Sequence, residues 1–341
     1  LNIAIIGLGG MGSRHLQAAL SAKMTPVALC DLSREAAEAA AELPSTPRIY
    51  TDWEKMLNDG GFDVLVVATN GPSHHKIILK AAAVNSPYIF CEKPLSTSGA
   101  KAREIVAACK KSGTKLAVNL ARRQMDAYIN LKKCLQTNVI GTVHHINIHC
   151  GAGGLGCLGT HFFDLPAWLF DTQPEWVSGT IDTAPAPNIR GEHFFDPGGQ
   201  AMVGYGKELT AHFYLAGDST VVFRGELIGT HGYISFDDLG NEGIEMKIFA
   251  RPKDHWDTIP TRYVELKEVL PGLKPTSFDI IDSTRKGLED LVSEDMQDTC
   301  TGAVNAVDIV MGIHLSAKSG QWEKVSLPLS GNDLNFEIPI T

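Results

Sequence analysis

The sequence is short of positive charge, has no long apolar run and pairs none of its cysteines by spacing. Among its 341 residues, 30 Lys and Arg stand against 39 Asp and Glu, a formal net charge of -9. That balance, without a long basic run, offers no global attraction to nucleic acid or to an anionic membrane surface. No apolar run reaches the roughly 18 residues that span a bilayer, and the first residues lack a basic, apolar, small-residue export pattern. The expected setting is therefore the cytoplasm. The cysteines at 30, 91, 109, 134, 150, 157 and 300 are scattered and form no C-x-x-C pair, which predicts reduced thiols and neither a disulfide framework nor a zinc site. His74-His75 and His144-His145 are adjacent pairs whose side chains diverge on a helix or a strand, so no metal is expected. Internal repeats and low-complexity segments are also missing.

What is present starts at once. The apolar run Ile3-Ala4-Ile5-Ile6 leads into Gly7-Leu8-Gly9-Gly10-Met11-Gly12 and then into a helical stretch. A strand, a tight glycine turn and a helix N-terminus form a site for a pyrophosphate. The first glycine makes the turn, the second lets backbone approach phosphate, and the third lets helix pack on strand. Pro26 to Cys30 reads as a second strand ending in Asp31, at the separation expected of a carboxylate for a ribose hydroxyl, which favours NAD. Arg34 could instead hold a 2′-phosphate and keeps NADP open.

Strand candidates at 2–6, 26–31, 63–68, 87–91 and 115–119 alternate with helices at about 12–24, 33–43, 51–58, 73–85 and 98–111. This is the pattern of a parallel sheet wrapped by helices. Ser33 and Ser98 read as N-caps, Gly60-Gly61 and Gly113 as helix stops. The pattern changes near residue 120. A helix at 124–137, a strand at 142–150 and a helix at 160–170 precede short strands at 174–182, 200–206, 208–216, 219–224, 226–237 and 244–250. Helices at 276–293 and 299–318 and a strand at 324–327 close the chain. The fold class is thus α/β: an N-terminal Rossmann domain, 1–120, with a parallel sheet, and a second α/β domain, 121–341, with a large, mainly antiparallel open sheet. The helices near 276–318 are free to pack back on the first domain.

Ligands of an open parallel sheet lie across the carboxyl ends of its strands. After the third strand come Thr69, Asn70 and His74, a polar turn that either lines a cofactor or merely caps a helix. After the fourth come Glu92-Lys93-Pro94. The bland alternative for Lys93 is a solvated loop charge paired with Glu92; the dinucleotide signal favours a lysine held where a nicotinamide meets its substrate. Farther on, Gly153 to Gly159 precede Thr160-His161-Phe162-Phe163-Asp164, which puts His161 and Asp164 on one helical face. His161 reads equally as catalyst or as a hydrogen-bonded core residue. Arg190, His193 and Tyr205 are further candidate substrate contacts.

In these three motifs, Gly7 to Gly12, Glu92-Lys93-Pro94 and Gly159-Thr160-His161-Phe162-Phe163-Asp164, the chain resembles the glucose-fructose oxidoreductase, inositol dehydrogenase and MocA family. The resemblance implies an NAD(P)-dependent dehydrogenase or reductase acting on a CH–OH group of a sugar, inositol or sugar derivative. It further implies that Lys93 matches the family's active-site lysine and His161 its histidine, with Asn119 and Arg122 facing cofactor or substrate. The open sheet of such proteins commonly serves as an interface, so a homo-oligomer, dimer or tetramer, is expected. Many members carry aspartate four residues before the histidine, where this chain has Cys157, a neutral thiol. Cys157, Thr160 and Asp164 are accordingly the pocket candidates. Two other readings stay open: a non-catalytic NAD(P)-binding sensor or regulator on the same scaffold, and an enzyme acting on an imine or non-sugar carbonyl.

Overall fold

The structure is a computed structural model and describes residues 1–41, 43–151, 154–182, 195–206, 208–216, 223–238, 243–256, 266–269, 273–276 and 279–325. The chain divides into two compact units. One comprises Leu1–Gln124 with Asp279–Val307, the other Met125–Phe278 with Asp308 to 325 of the described residues.

The first unit opens with β1 (Asn2–Ile6), α1 (Gly10–Ser21), β2 (Thr25–Cys30), α2 (Arg34–Ala40), β3 (Arg48–Tyr50) and α3 (Trp53–Asp59). It continues with β4 (Val64–Val67), α4 (Gly71–Ala83), β5 (Tyr88–Cys91), α5 (Gly99–Ser112) and β6 (Lys115–Val118). Every pairing is parallel, in the order β3-β2-β1-β4-β5-β6. Strands β1 and β4 are neighbours, so the connections leaving them diverge and open a crevice at the carboxyl edge. The strands are continuous apolar runs because both faces are covered: Val64, Leu65, Val66 and Val67 are all fully buried. Helix starts and stops follow local chemistry. Ser33 and Ser98 accept N–H bonds from Ala36 and Lys101, and Gly113 ends α5 in the left-handed conformation. The three-residue β3 has no counterpart among the predicted strands. It is an edge strand too short to show a period.

The second unit begins with α6 (Asp126–Gln136), β7 (Val143–Gly151), α7 (Thr160–Phe170), β8 (Pro174–Ile181), β9 (Gly199–Tyr205) and β10 (Leu209–Ala216). Then come β11 (Phe223–Gly229), β12 (Gly232–Asp238), β13 (Ile244–Ala250), β14 (Lys267–Glu268) and β15 (Leu273–Thr276). Helix α8 (Ile280–Leu291) belongs to the first unit; α9 (Cys300–Ser319) contributes to both, and β16 (Glu323–Lys324) to the second. The ten-stranded sheet runs β14-β13-β12-β11-β7-β10-β9-β8-β16, with β15 on β13. Among the described pairings only β7 with β10 is parallel. Burial alternates along β9, β10 and β13, so one face packs and the other is open.

The packed face is aromatic. Phe162 of α7 stacks on Phe223 at 4.5 Å and Phe163 meets Phe213 edge-on at 4.9 Å. Each such pair adds about 0.5–1.5 kcal/mol beyond its buried area. The predicted break after residue 224 is corrected here. Gly225 lies inside β11, where a Cβ would collide with the Phe236 ring, and the hairpin turn is at Thr230-His231. Residues 217–222, the start of the predicted strand 219–224, fall outside the described residues, as do 326 and 327 of the last predicted strand.

Candidate functional site

At the end of β1 the backbone turns at Gly7, whose φ is +90°. A Cβ there would lie 2.7 Å from the Ala68 carbonyl oxygen, and one on Gly12 would collide with the Gly7 carbonyl. These two glycines fix the strand, turn and helix against one another. Gly9 and Gly10 differ: they are exposed, and nothing lies within 4 Å of where a Cβ would stand. Gly9 caps α1 without any side-chain bond, and the first turn carries no acidic residue. The helix end therefore presents its N–H groups and positive dipole to open space, which fits a pyrophosphate. Leu8 is buried and Met11 half-buried beside the Arg14 guanidinium at 3.3 Å.

Asp31 follows β2. Its Oδ2 accepts the Leu8 N–H at 2.7 Å and its Oδ1 the Ser33 N–H at 2.9 Å. The carboxylate thus ties the glycine turn to the end of β2 while each oxygen keeps a lone pair for a ribose. Arg34 is spoken for on the surface by Glu38 at 2.8 Å. Sequence reasoning passed over Leu32, which is 90% exposed beside Asp31 and offers an apolar surface of the kind an adenine covers. Only its solvent exposure, invisible in the sequence, marks it out.

After β4, Thr69 is half-buried and its hydroxyl accepts from Ser73 Oγ at 2.6 Å, while Asn70 is exposed at the start of α4. His74 is fully buried, with Nδ1 2.9 Å from the Pro94 carbonyl and Nε2 3.0 Å from the Thr69 carbonyl. Burial pushes its pKa down, toward the neutral ring. Its place is behind the turn, joining the segment after β4 to the segment after β5.

That second segment is Glu92-Lys93-Pro94, with a cis bond between Lys93 and Pro94. Lys93 is half-buried and has an electrostatic influence on Glu92. Glu92 is 5% exposed, and its Oε1 receives both His15 Nε2 and Asn119 Nδ2 at 2.7 Å. Burial alone would raise this carboxyl. The His15 hydrogen bond and charge, the Lys93 charge and the Asn119 hydrogen bond outweigh it and bring the pKa down to about 2. Asn119 and Arg122 follow β6 and are buried, Arg122 in a short 3₁₀ turn, Ala121–Gln124.

The second unit holds the other motif. A π-helical turn, Leu155–Gly159, runs into α7. Gly156 and Cys157 donate their N–H groups to the Asp196 carboxylate at 2.8 and 2.7 Å, and a Cβ on Gly154 would collide with Asp196. Unlike α1, this helical end is closed by the protein's own carboxylate. Asp196 went unnoticed in the sequence because nothing near it shows what it caps 40 residues away. Cys157 and His161 are half-buried, whereas Thr160 and Asp164 are buried, and Thr160 Oγ1 turns back to the Gly156 carbonyl at 3.1 Å. Tyr205 is corrected from substrate contact to core: it is 1% exposed and donates its hydroxyl to the Phe163 carbonyl at 2.7 Å. Burial first, then the Asp164 charge, push its pKa well up. Gly153, Arg190 and His193 lie outside the described residues. Among the described residues no cluster of His, Cys, Asp and Glu could hold a metal ion.

Known proteins resemble this chain in sequence and in fold. Residues 1–120 match the GFO/IDH/MocA family model, described as an oxidoreductase family with an NAD-binding Rossmann fold. An inositol 2-dehydrogenase 2 from Paenarthrobacter aurescens is 26% identical over 267 residues, covering 72% of this chain and 78% of that protein. An inositol 2-dehydrogenase from Klebsiella pneumoniae is 33% identical over 145 residues, which is 41% of this chain and 43% of that one. Among solved structures, a levoglucosan dehydrogenase in complex with NADH and levoglucosan superimposes with a TM-score of 0.80 at 18% identity, over 96% of this chain and all of the other. A myo-inositol 2-dehydrogenase from Lactobacillus plantarum gives 0.76 at 18% identity, over 96% and 99%. At such identities the structures share the fold.

Proposed function

We propose, from the premise that residues 1–120 belong to the GFO/IDH/MocA oxidoreductase family, that the chain is an NAD-dependent dehydrogenase or reductase. Its substrate class on this reading is a sugar, an inositol or a sugar derivative, acted on at a carbinol or carbonyl carbon. The observation that carries the reading is the open, uncapped start of α1 beneath Gly9 and Gly10, at the divergence of β1 and β4, with Lys93 following the next strand, β5. The nicotinamide supplies the hydride chemistry when bound. The chain's own residues do the rest. Gly9, Gly10 and the α1 N–H groups bind the pyrophosphate, Asp31 the ribose, and Leu32 covers the adenine. In oxidation His161 takes the hydroxyl proton and the Lys93 ammonium stabilises the developing alkoxide; in reduction His161 returns that proton to the oxygen while Lys93 again stabilises its negative charge.

NAD is favoured over NADP by the Asp31 carboxylate, which a 2′-phosphate would meet at a like charge, and by the pairing of Arg34 with Glu38. A tighter dissociation constant for NADPH than for NADH would contradict this. Self-association belongs to the same reading. The open face of the second sheet carries Met202, Tyr214 and Ile228, each more than a third exposed.

The test is turnover of NAD or NADH across a panel of inositols, aldoses, anhydrosugars and sugar derivatives. On the substrate found, Lys93→Ala and His161→Ala are each expected to lower kcat by about 10²- to 10⁴-fold. The NADH dissociation constant should stay within about threefold, since neither residue is placed on the pyrophosphate or ribose. Full activity in His161→Ala would remove it from the mechanism. Cys157, in place of the carboxylate many relatives carry, favours one rival, a sensor; tight NADH binding with no turnover on the whole panel would select it.

A further inference from the structure

Each oxygen of the Glu92 carboxylate has a donor from the protein. Oε1 receives His15 Nε2 and Asn119 Nδ2, both at 2.7 Å, and Oε2 receives the backbone N–H of Lys93 at 3.3 Å. Each donor comes from a different place. His15 lies on α1, the helix whose open end faces the pyrophosphate position; Asn119 follows β6; Lys93 is the residue to be held. Little in the junction can swing. The His15 ring is fully buried and stands edge-on to Phe90 at 5.6 Å, and its Nδ1 has no hydrogen-bond partner among the described residues. The bond to Glu92 is therefore the ring's polar anchor. Asn119 is pinned by its own N–H to the Cys91 carbonyl at 2.8 Å and lies 3.5 Å from Thr284 Oγ1.

A buried carboxylate is a poor way to stabilise a fold, because desolvation cancels most of the attraction it gains and apolar residues of the same volume commonly serve as well. Its advantage is directional: charged hydrogen bonds fix atoms where packing alone permits several arrangements. We infer that Glu92, gripped by His15 and Asn119, is a positioning residue that registers Lys93 against the dinucleotide-binding helix. This rests on the proposed placement of Lys93 beside the nicotinamide.

The charged and titratable groups that face Glu92 are His15 on α1, Lys93 on its own turn, His74 on α4 and Cys91 on β5. Burial drives His74 and Cys91 toward their neutral forms, so the His15 and Asn119 hydrogen bonds and the neighbouring Lys93 are what hold the Glu92 carboxylate ionised. Without the His15 bond the buried carboxyl would protonate at a higher pH.

The experiment follows cyanate carbamylation of Lys93 by peptide mass spectrometry in the full chain, with and without saturating NADH, alongside the NADH dissociation constant. In the native protein NADH is expected to slow Lys93 carbamylation roughly tenfold or more, because a bound nicotinamide shields a correctly placed lysine. Glu92→Gln and His15→Leu should cut that protection to below about threefold while the dissociation constant changes by less than about fivefold. His15→Gln keeps an N–H donor in a conservative side chain, and it should restore protection and serve where Glu92→Gln folds poorly. Undiminished protection in Glu92→Gln and His15→Leu overturns the positioning role alone. No protection by NADH in the native protein overturns the placement of Lys93 and the positioning role with it.

Discussion

The Glu92 carboxyl has a consequence for stability that is independent of any substrate. Its pKa lies at about 2 in the folded chain against an ordinary 4.5. A carboxyl depressed by folding contributes stability that is fully present above its unfolded value and is lost as pH falls through its folded value. The contribution should therefore be intact above about pH 5 and decline toward pH 2, to a total of up to about 3 kcal/mol. Urea denaturation of native protein and Glu92→Gln checks this: the gap between them should narrow across that window, and a gap constant with pH would contradict the assignment. The sequence showed Glu92-Lys93-Pro94 as a unit but not the division of labour inside it. That division depends on His15 and Asn119, which reach Glu92 across 77 and 27 residues of chain. Lys93 and His161 could be nominated from sequence because their motifs are local. Tyr205 was misleading for the same reason: a polar side chain in a suggestive place says nothing about whether its polar atom faces outward or, as here, toward a backbone carbonyl in the core.

Two helical starts in this chain look alike as glycine-rich sequence and differ as elements. Helix α1 begins with no side-chain cap, whereas the turn that leads into α7 has its N–H groups taken by Asp196. Gly12→Ala should force α1 away from the Gly7 carbonyl and weaken NADH binding by at least about tenfold, the equivalent of about 1.4 kcal/mol. Asp196→Ala should leave NADH binding intact but cost about 1–2 kcal/mol of helix capping, seen as a melting point lower by a few degrees. Equal loss of NADH affinity in both variants would contradict the contrast. At this scale most of the fold was legible. The alternation of apolar strands with capped helices marks five of the six strands of the first sheet, since each exceeds the length at which a buried run stands out. What escaped was either too short, like β3, or governed by a distant ring, like Gly225 beneath Phe236.

For the whole molecule, the open sheet face predicts self-association. If Met202 and Tyr214 are covered in an oligomer, Met202→Glu/Tyr214→Glu should give a species of monomer mass in light scattering, where the native chain gives a dimer or tetramer; a native monomer would contradict it. The first unit, meanwhile, is discontinuous. Leu288 and Leu291 of α8 are fully buried in its apolar core with Phe90, and Gly287 lies against the Phe90 ring. A ribosome that has made the glycine turn, the parallel strands and Lys93 has not yet made the helix that completes their core. The dinucleotide domain must wait, half-covered, while strands β7 to β15 of the second sheet are synthesised, which makes nascent chains of intermediate length the species most in need of a chaperone. A fragment ending at Gln124 should accordingly bind an apolar dye and aggregate, and adding Asp279–Val307 through a short linker should cure both.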